Sequence, residues 1–94
     1  MNRVYRRKNF EIYGYKGAYI VYNKNKPFKT GHSHVNSFKT AKYIVHLAVT
    51  LTVPKHLSLY LYESLIRISS DKQYKQAIYK KIDEDTLKKS QYYN

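Results

Sequence analysis

Residues 9–23 are rich in aromatic and β-branched side chains, which are typical of β-strands. Gly14-Tyr15-Lys16-Gly17 interrupts this stretch and predicts a β-hairpin whose loop has two residues (Lys16-Gly17) or four. With either loop the same side chains share a face. One face comprises Phe10, Ile12, Tyr19 and Val21, and the other comprises Glu11, Tyr13, Tyr15, Ile20 and Tyr22. The first set is more apolar, so we expect it to face the core.

The pattern changes after the hairpin. A polar turn at residues 23–27 precedes residues 28–35, for which we predict a third strand. From Phe38 onward the apolar residues follow helical spacing, which predicts a helix that ends near residues 50–53, with Asn36 or Ser37 as its N-cap. The apolar positions on its buried side are Ala41, Ile44, Val45 and Ala48.

Two further helices are predicted in the second half. Pro54 suits a first helical turn, so we expect the second helix to cover residues 54–69. Ser70-Asp71-Lys72-Gln73 matches a capping box and predicts the start of the third. Asp83-Glu84-Asp85 predicts its end, with a short last helix after it.

These elements describe an α+β fold. We predict a small antiparallel β-sheet of two or three strands at the N-terminus, packed on three C-terminal α-helices. The chain has 94 residues, which suits a single domain over residues 1–94. Residues 1–36 form its basic hairpin or sheet region and residues 37–90 its helical layer.

Positive charge is concentrated in the first part of the chain. The formal net charge is +12, and the first 42 residues contain ten Lys and Arg but one acid, Glu11. The rest of the chain contains eight basic and five acidic residues. A surface of one sign repels itself and usually serves an anionic partner. This distribution indicates nucleic acid, an anionic membrane or an acidic protein, against a solvated face with no partner.

Tyrosines accompany these cations. Lys and Arg neutralise phosphates while aromatic rings stack on unpaired bases, so the region predicts a nucleic-acid interface. RNA is favoured over DNA because exposed aromatic rings bind splayed bases, and no predicted helix has the Arg/Asn-rich face of a major-groove reader. The first four cations would form a mobile or edge-strand arm. The predicted contacts are Arg3, Arg6, Arg7, Lys8, Tyr13, Tyr15, Lys16, Tyr22, Lys24, Lys26, Lys29, His32, His34, Lys39 and Lys42.

Gly31-His32-Ser33-His34 places two histidines on the same side of a strand. Such a pair can begin a zinc site or supply an acid and a base for RNA cleavage. A metal needs further ligands, and His46 and His56 stand at no recognisable spacing. We therefore predict no metal, no cofactor and no catalysis. A small ribonuclease that uses His32 and His34 is kept as an alternative.

The predicted second helix is apolar around much of its circumference, which is typical of a helix buried in the domain or in a partner. Burial within the domain is the preferred interpretation. Homodimerisation or docking on a host enzyme, without nucleic acid, is the alternative. Its candidate outer contacts are Leu59, Tyr62 and Ile66.

Several classes are excluded by composition. The chain contains no cysteine, so it has no disulfide, thiolate nucleophile or cysteine zinc site. Its longest apolar stretches, such as residues 43–48, are far shorter than the roughly 20 residues of a membrane span. We predict no membrane partner and a cytoplasmic location, that of the host cell if the protein is phage-encoded.

The stretch from Tyr19-Ile20-Val21-Tyr22-Asn23-Lys24 through Ser37-Phe38-Lys39-Thr40-Ala41-Lys42 resembles the sheet-then-helix arm-binding domains of phage integrases. This resemblance implies a sheet face laid on nucleic acid around Lys16, Tyr22, Lys24 and Lys26. Gly31-His32-Ser33-His34 is similar to the Gly-Ser-His strand of toxin-type mRNA interferases.

The chain is small and basic, and its abundant residues Lys, Asn, Tyr and Ile have AT-rich codons. In these respects it resembles phage accessory proteins, including anti-CRISPR proteins. Together these features predict a non-enzymatic RNA-binding protein from a phage or mobile element. It would inhibit a host nucleic-acid machine such as CRISPR-Cas by binding RNA or an RNA–protein complex.

Overall fold

Four antiparallel strands form one sheet in sequential order, and three longer helices cover one side of it. The computed structural model describes the backbone of residues 1–92 and the side chains of residues 1–87. This arrangement confirms the α+β fold, with four strands instead of two or three. The elements are β1 (Asn2–Arg7), β2 (Phe10–Tyr15), β3 (Ala18–Asn23), α1 (Phe28–Gly31), β4 (His32–Val35), α2 (Phe38–Thr50), α3 (Leu59–Ile68) and α4 (Lys72–Tyr92).

The hairpin of β2 and β3 has the shorter of the two predicted loops. Lys16 and Gly17 form it with φ angles of 48° and 78°, and two positive φ values are typical of a type I′ turn. Ile12 pairs with Val21 and Glu11 with Tyr22, so the two predicted faces are confirmed.

Strand β1 is the additional strand, and it forms one edge of the sheet by pairing with β2. It contains three arginines in six residues, so the alternation that indicates a half-buried strand is missing. Of its side chains, Tyr5 packs against the core cluster. A bulge between Arg3 and Tyr5 and the exposed arginines are devices that protect sheet edges from pairing with other chains. The first four cations therefore form an edge strand and its turn.

The strand predicted over residues 28–35 begins four residues later than expected. Pro27 is followed by a single helical turn, α1, before β4 begins at His32. This turn brings Gly31 against Lys26, where an added Cβ would lie 2.6 Å from the Lys26 Cβ atom. Glycine is therefore required at this close approach.

The helices begin and end differently from the prediction at three points. Ser37 caps α2 as expected, but α3 begins at Leu59, because Ser58 accepts a hydrogen bond from the Leu61 amide and acts as its N-cap. At the start of α4 the capping oxygen belongs to Asp71, 2.8 Å from the Tyr74 amide. Helix α4 then continues through the predicted boundary at residues 83–85, where Asp85 pairs with Lys81 at 3.4 Å.

Within residues 1–92 no helix is long and apolar enough to cross a membrane.

The core lies between the sheet and the helices. The buried apolar residues of the sheet meet those of α2, α3 and α4 in one cluster. Its fully buried members include Ile12, Val21, Ile44, Val45, Leu65, Ile68 and Ile78.

Tyr62 also belongs to this cluster, and its predicted role as a partner contact is wrong in this fold. It is 1% exposed, and its hydroxyl donates to the Pro54 carbonyl at 3.0 Å. By contrast, Leu59 is 57% exposed and Ile66 is half-buried.

A fully buried side-chain amide connects the sheet to the helical layer. Asn23, the last residue of β3, donates to the Ile68 carbonyl at 2.7 Å and to the Ser70 hydroxyl at 3.0 Å. Its Oδ1 accepts from the Asn9 side chain at 2.7 Å and from the Asn25 amide at 2.8 Å. The amide therefore joins the β1–β2 turn, through Asn9, and the turn after β3, through Asn25, to the α3–α4 connection.

We expect Asn23→Ala to lower the free energy of unfolding by about 2–4 kcal/mol, because it leaves buried donors and acceptors without partners. Urea unfolding followed by circular dichroism measures this loss. Asn25→Ala is the matched control, because Asn25 takes part through its backbone amide, and it should change stability by less than about 0.5 kcal/mol. Equal effects of the two substitutions would contradict this role.

Candidate nucleic-acid interface

One face of the sheet is not covered by the three long helices. The strand register turns the core residues to the helices and leaves the alternate side chains on the opposite side, which we call the open face. The open face comprises Arg3, Arg6, Glu11, Tyr13, Tyr15, Ala18, Ile20, Tyr22, His32 and His34. Seven of these ten residues were predicted to contact nucleic acid.

Glu11 lies on the open face between Arg6 of β1 and Tyr22 of β3, and it is 3% exposed. Its two carboxylate oxygens accept hydrogen bonds from Arg3 Nη1 at 2.8 Å and from the Tyr13 hydroxyl at 2.9 Å. The Arg3 bond is the main cause that holds the pKa of Glu11 below its usual range, against the opposing effect of burial. Tyr13 and the nearby charge of Lys24 act in the same direction as Arg3.

The same contacts also shift the pKa values of the side chains that bind Glu11. The hydrogen bond to Glu11 raises the pKa of Tyr13, so this phenol stays protonated and its ring is held beside the carboxylate. The single acid of the first 42 residues is thus paired and covered by neighbouring side chains. As a result, the open face presents cations and aromatic rings, and its one carboxylate is paired.

A row of four aromatic rings runs along the β3–β4 side of the open face. Phe28 of α1 stacks in parallel on His32 with ring centroids 4.2 Å apart, and it meets Tyr22 edge-on at 5.2 Å. The rings of His32 and His34 are 5.1 Å apart. Phe28 is 44% exposed, so part of this row is accessible to a ligand.

Phe28 was not among the predicted contacts, because residues 28–35 were assigned to one strand. The signal that could have identified it is Pro27, which favours a helical turn after it, together with the spacing of four residues between Phe28 and His32. In that turn His32 Nδ1 contacts the Phe28 carbonyl oxygen. Since a carbonyl only accepts, Nδ1 is the donor in this contact.

The hairpin loop forms the far end of the open face. Tyr15 is 55% exposed, and Lys16 Nζ lies 5.3 Å from the centroid of its ring. Lys24, two residues after Tyr22, lies close enough to Glu11 to influence its pKa. Lys29 is exposed on α1 beside the aromatic row.

Five of the predicted contacts lie away from the open face. The alternation of β1 turns Arg7 to the helix side, where it meets His46 Nδ1 at 2.9 Å. Lys8 lies beside the C-terminal end of α2. Lys39 and Lys42 belong to α2 itself, and the Lys42 ammonium lies 5.4 Å from the Phe38 ring centroid.

Lys26 is the fifth. Its ammonium donates to the Arg67 carbonyl at 2.7 Å and to the Ser69 carbonyl at 3.4 Å, so it binds the C-terminal end of α3. Burial lowers the pKa of Lys26, and the charges of Lys75 and Arg67 act in the same direction. Lys26 therefore stabilises the fold.

Among the described side chains, no three His, Asp or Glu residues lie close enough together to hold a metal ion. Comparisons with protein-family models, curated proteins and solved structures found no match to this chain. Inference about function therefore depends on the geometry of the open face.

The position of Glu11 predicts a pH-dependent stability. Its pKa is depressed in the folded state, so its contribution is present above the unfolded-state pKa and is lost as the pH falls through the folded-state pKa. We expect Glu11→Gln to destabilise the protein by about 1–2 kcal/mol at pH 7, since a charged hydrogen bond is lost. The gap between variant and wild type should shrink towards about pH 3.

Urea unfolding at both pH values measures this gap. Glu84→Gln, at an exposed position of α4, is the control and should leave stability at pH 7 nearly unchanged. A gap for Glu11→Gln that is the same at both pH values would contradict the assignment.

Proposed function

We propose that the protein is a non-enzymatic nucleic-acid-binding protein that binds unpaired RNA on the open face of its sheet. The main support is the exposed stack of Phe28 on His32, which continues a row of rings between cations. Stacking of bases on the aromatic side chains of an open sheet is an established way of binding single-stranded RNA.

The electrostatics of the open face support the same ligand. Arg6, Lys16 and Lys24 are exposed around it, and its one acid, Glu11, is paired with Arg3. Phosphates following this face would meet cations along its length, while bases reach the rings between them. Such a surface gives affinity that falls steeply with salt and depends little on sequence.

The finer role is inhibition of a host nucleic-acid machine, such as CRISPR-Cas, in the cytoplasm of the host. Its support is the resemblance in size and composition to phage accessory proteins. The alternative of a protein–protein inhibitor or a homodimer is supported by the exposure of Leu59 beside the half-buried Ile66. The alternative of a ribonuclease is supported by the proximity of the His32 and His34 rings.

Charge neutralisation on the two sides of the sheet should have different effects. A triple variant of Arg6→Gln, Lys16→Gln and Lys24→Gln removes three exposed cations of the interface. We expect the slope of log affinity against log salt for a single-stranded RNA to fall by about 2, at about 0.7 per phosphate contact. Fluorescence anisotropy at several salt concentrations measures it.

The control triple, Lys39→Gln, Lys55→Gln and Lys80→Gln, removes the same charge from exposed positions outside the open face. It should leave most of the slope in place. An equal reduction in both triples would mean that bulk charge, and not this face, binds the RNA.

Loss of the exposed ring should weaken binding without changing charge. Phe28→Leu keeps an apolar side chain but removes the stacking surface, and we expect RNA affinity to fall roughly 5- to 100-fold. Tyr79→Leu is the matched control, because Tyr79 is an exposed aromatic residue on α4. Affinity that is unchanged in Phe28→Leu, or reduced equally in both variants, would contradict the stacking role.

A further inference from the structure

A polar cleft of about 360 Å³ lies between β4 and α3, at the margin of the open face. Its volume falls in the range of small-ligand sites, roughly 300–1,000 Å³. His32 and His34 belong both to the aromatic row and to this cleft, so an RNA strand on the open face passes its entrance. The residues that line it include His32, His34, Tyr60, Glu63, Ser64 and Arg67.

Helix α3 supplies one wall through side chains spaced by three or four residues, which share a helix face. The Tyr60 hydroxyl donates to the His34 carbonyl, and Arg67 Nε donates to the His32 carbonyl at 3.0 Å. Arg67 Nη2 also contacts the Lys29 carbonyl at 3.4 Å. These bonds hold the phenol ring and the guanidinium in place before any ligand enters.

The remaining polar groups differ in their availability. The Ser64 hydroxyl is bonded to Ser33 at 2.7 Å and to the Tyr60 carbonyl at 3.1 Å. No ion pair engages the Glu63 carboxylate among the side chains of residues 1–87. The cleft therefore offers a ligand one carboxylate next to fixed cationic donors, between aromatic walls.

The carboxylate in the cleft disfavours a phosphate ligand, and its position beside N–H donors fits a nucleobase. A carboxylate repels a phosphate, but it accepts two parallel N–H bonds well. Guanine is the base whose pairing edge presents two adjacent donors, N1–H and the N2 amino group, beside the O6 acceptor. Uracil has a single N–H between two carbonyls, while adenine and cytosine place an acceptor next to their amino group.

We propose that this cleft is a guanine-specific subsite, in which Glu63 accepts from N1–H and the N2 amino group while Arg67 donates towards O6. The inference rests on the proposed RNA binding at the open face and adds base specificity to it. A base splayed from a single strand and hydrogen-bonded on its pairing edge is a common form of sequence-specific RNA recognition.

The test uses the full chain and four nine-nucleotide RNAs. One is all uridine, and the others have a central guanosine, inosine or adenosine. We expect the guanosine RNA to bind roughly tenfold more tightly than the adenosine RNA, as one well-placed bidentate contact allows. Inosine keeps O6 and N1–H but lacks the N2 amino group, so its RNA should have an intermediate affinity.

Glu63→Gln should remove the preference for guanosine, because the new amide places a donor against the base donors. Its affinity for the all-uridine RNA should not fall, since the variant removes a negative charge. Glu84→Gln removes the same charge from an exposed position of α4 and should keep the preference. Circular dichroism checks that both variants are folded.

The outcomes separate this inference from the proposed function. Equal affinity for the guanosine and adenosine RNAs, or a preference that survives in Glu63→Gln, overturns the guanine subsite and leaves RNA binding at the open face intact. Absence of binding to all four RNAs at low salt overturns both. A preference that is lost equally in Glu63→Gln and Glu84→Gln also overturns the subsite.

Discussion

The buried amide of Asn23 is the interaction on which the arrangement of sheet and helices depends. It is hydrogen-bonded on both its oxygen and its nitrogen, to groups on three separate chain segments. An amide that is fully paired in a low-dielectric interior specifies one arrangement, because each displaced partner would be left buried without a bond. Its neighbours Tyr22 and Lys24 project to the opposite side, so the same residue that fixes the core also positions the open face.

The open face, in turn, depends on the placement of one carboxylate among many cations. Without the Glu11 carboxylate on β2, the charges of Arg3 and Arg6 on β1 would face and repel the charge of Lys24, which follows β3, with no acid between them. Glu11 offsets this repulsion and binds Arg3 and Tyr13 in fixed positions. The cations around the rim remain exposed to solvent. A positively charged face can therefore be ordered locally, and this order supports the proposed binding of phosphates and stacked bases.

The sequence predicted the elements whose patterns are local and missed those set by tertiary contacts. The β2–β3 hairpin and α2 follow from periodicity and a Ser37 cap, and both are present. β1 was not included in the predicted number of strands, because it is a strand through its pairing with β2 and not through its own apolar content. The continuation of α4 through residues 83–85 was not predicted, because a run of three acids was interpreted as a helix boundary. Acidic residues are compatible with a helix, and Asp85 pairs with Lys81 one turn earlier.

The candidate site could be predicted only in part for the same reason. Alternation along β2 and β3 identified the tyrosines of the open face. The division of the cations between the two sides of the sheet required the register of β1 and the position of α2. Charge counts along the chain do not contain this information, so Lys26, Lys39 and Lys42 were grouped with Arg6 and Lys24. Phe28 required knowledge of the turn between β3 and β4.

Helix α3 links the protection of the sheet edge to the proposed guanine subsite. The outer carbonyls of β4 would be open to pairing with another strand, and the Tyr60 and Arg67 side chains occupy them instead. Because these side chains must reach across to the strand, they leave a cleft between the helix and the sheet edge. Tyr60, Ser64 and Arg67 are thus committed to the fold as well as to the cleft. Glu63 has no such bond among the described residues, so it is the position at which the proposed base preference can change without weakening the sheet edge.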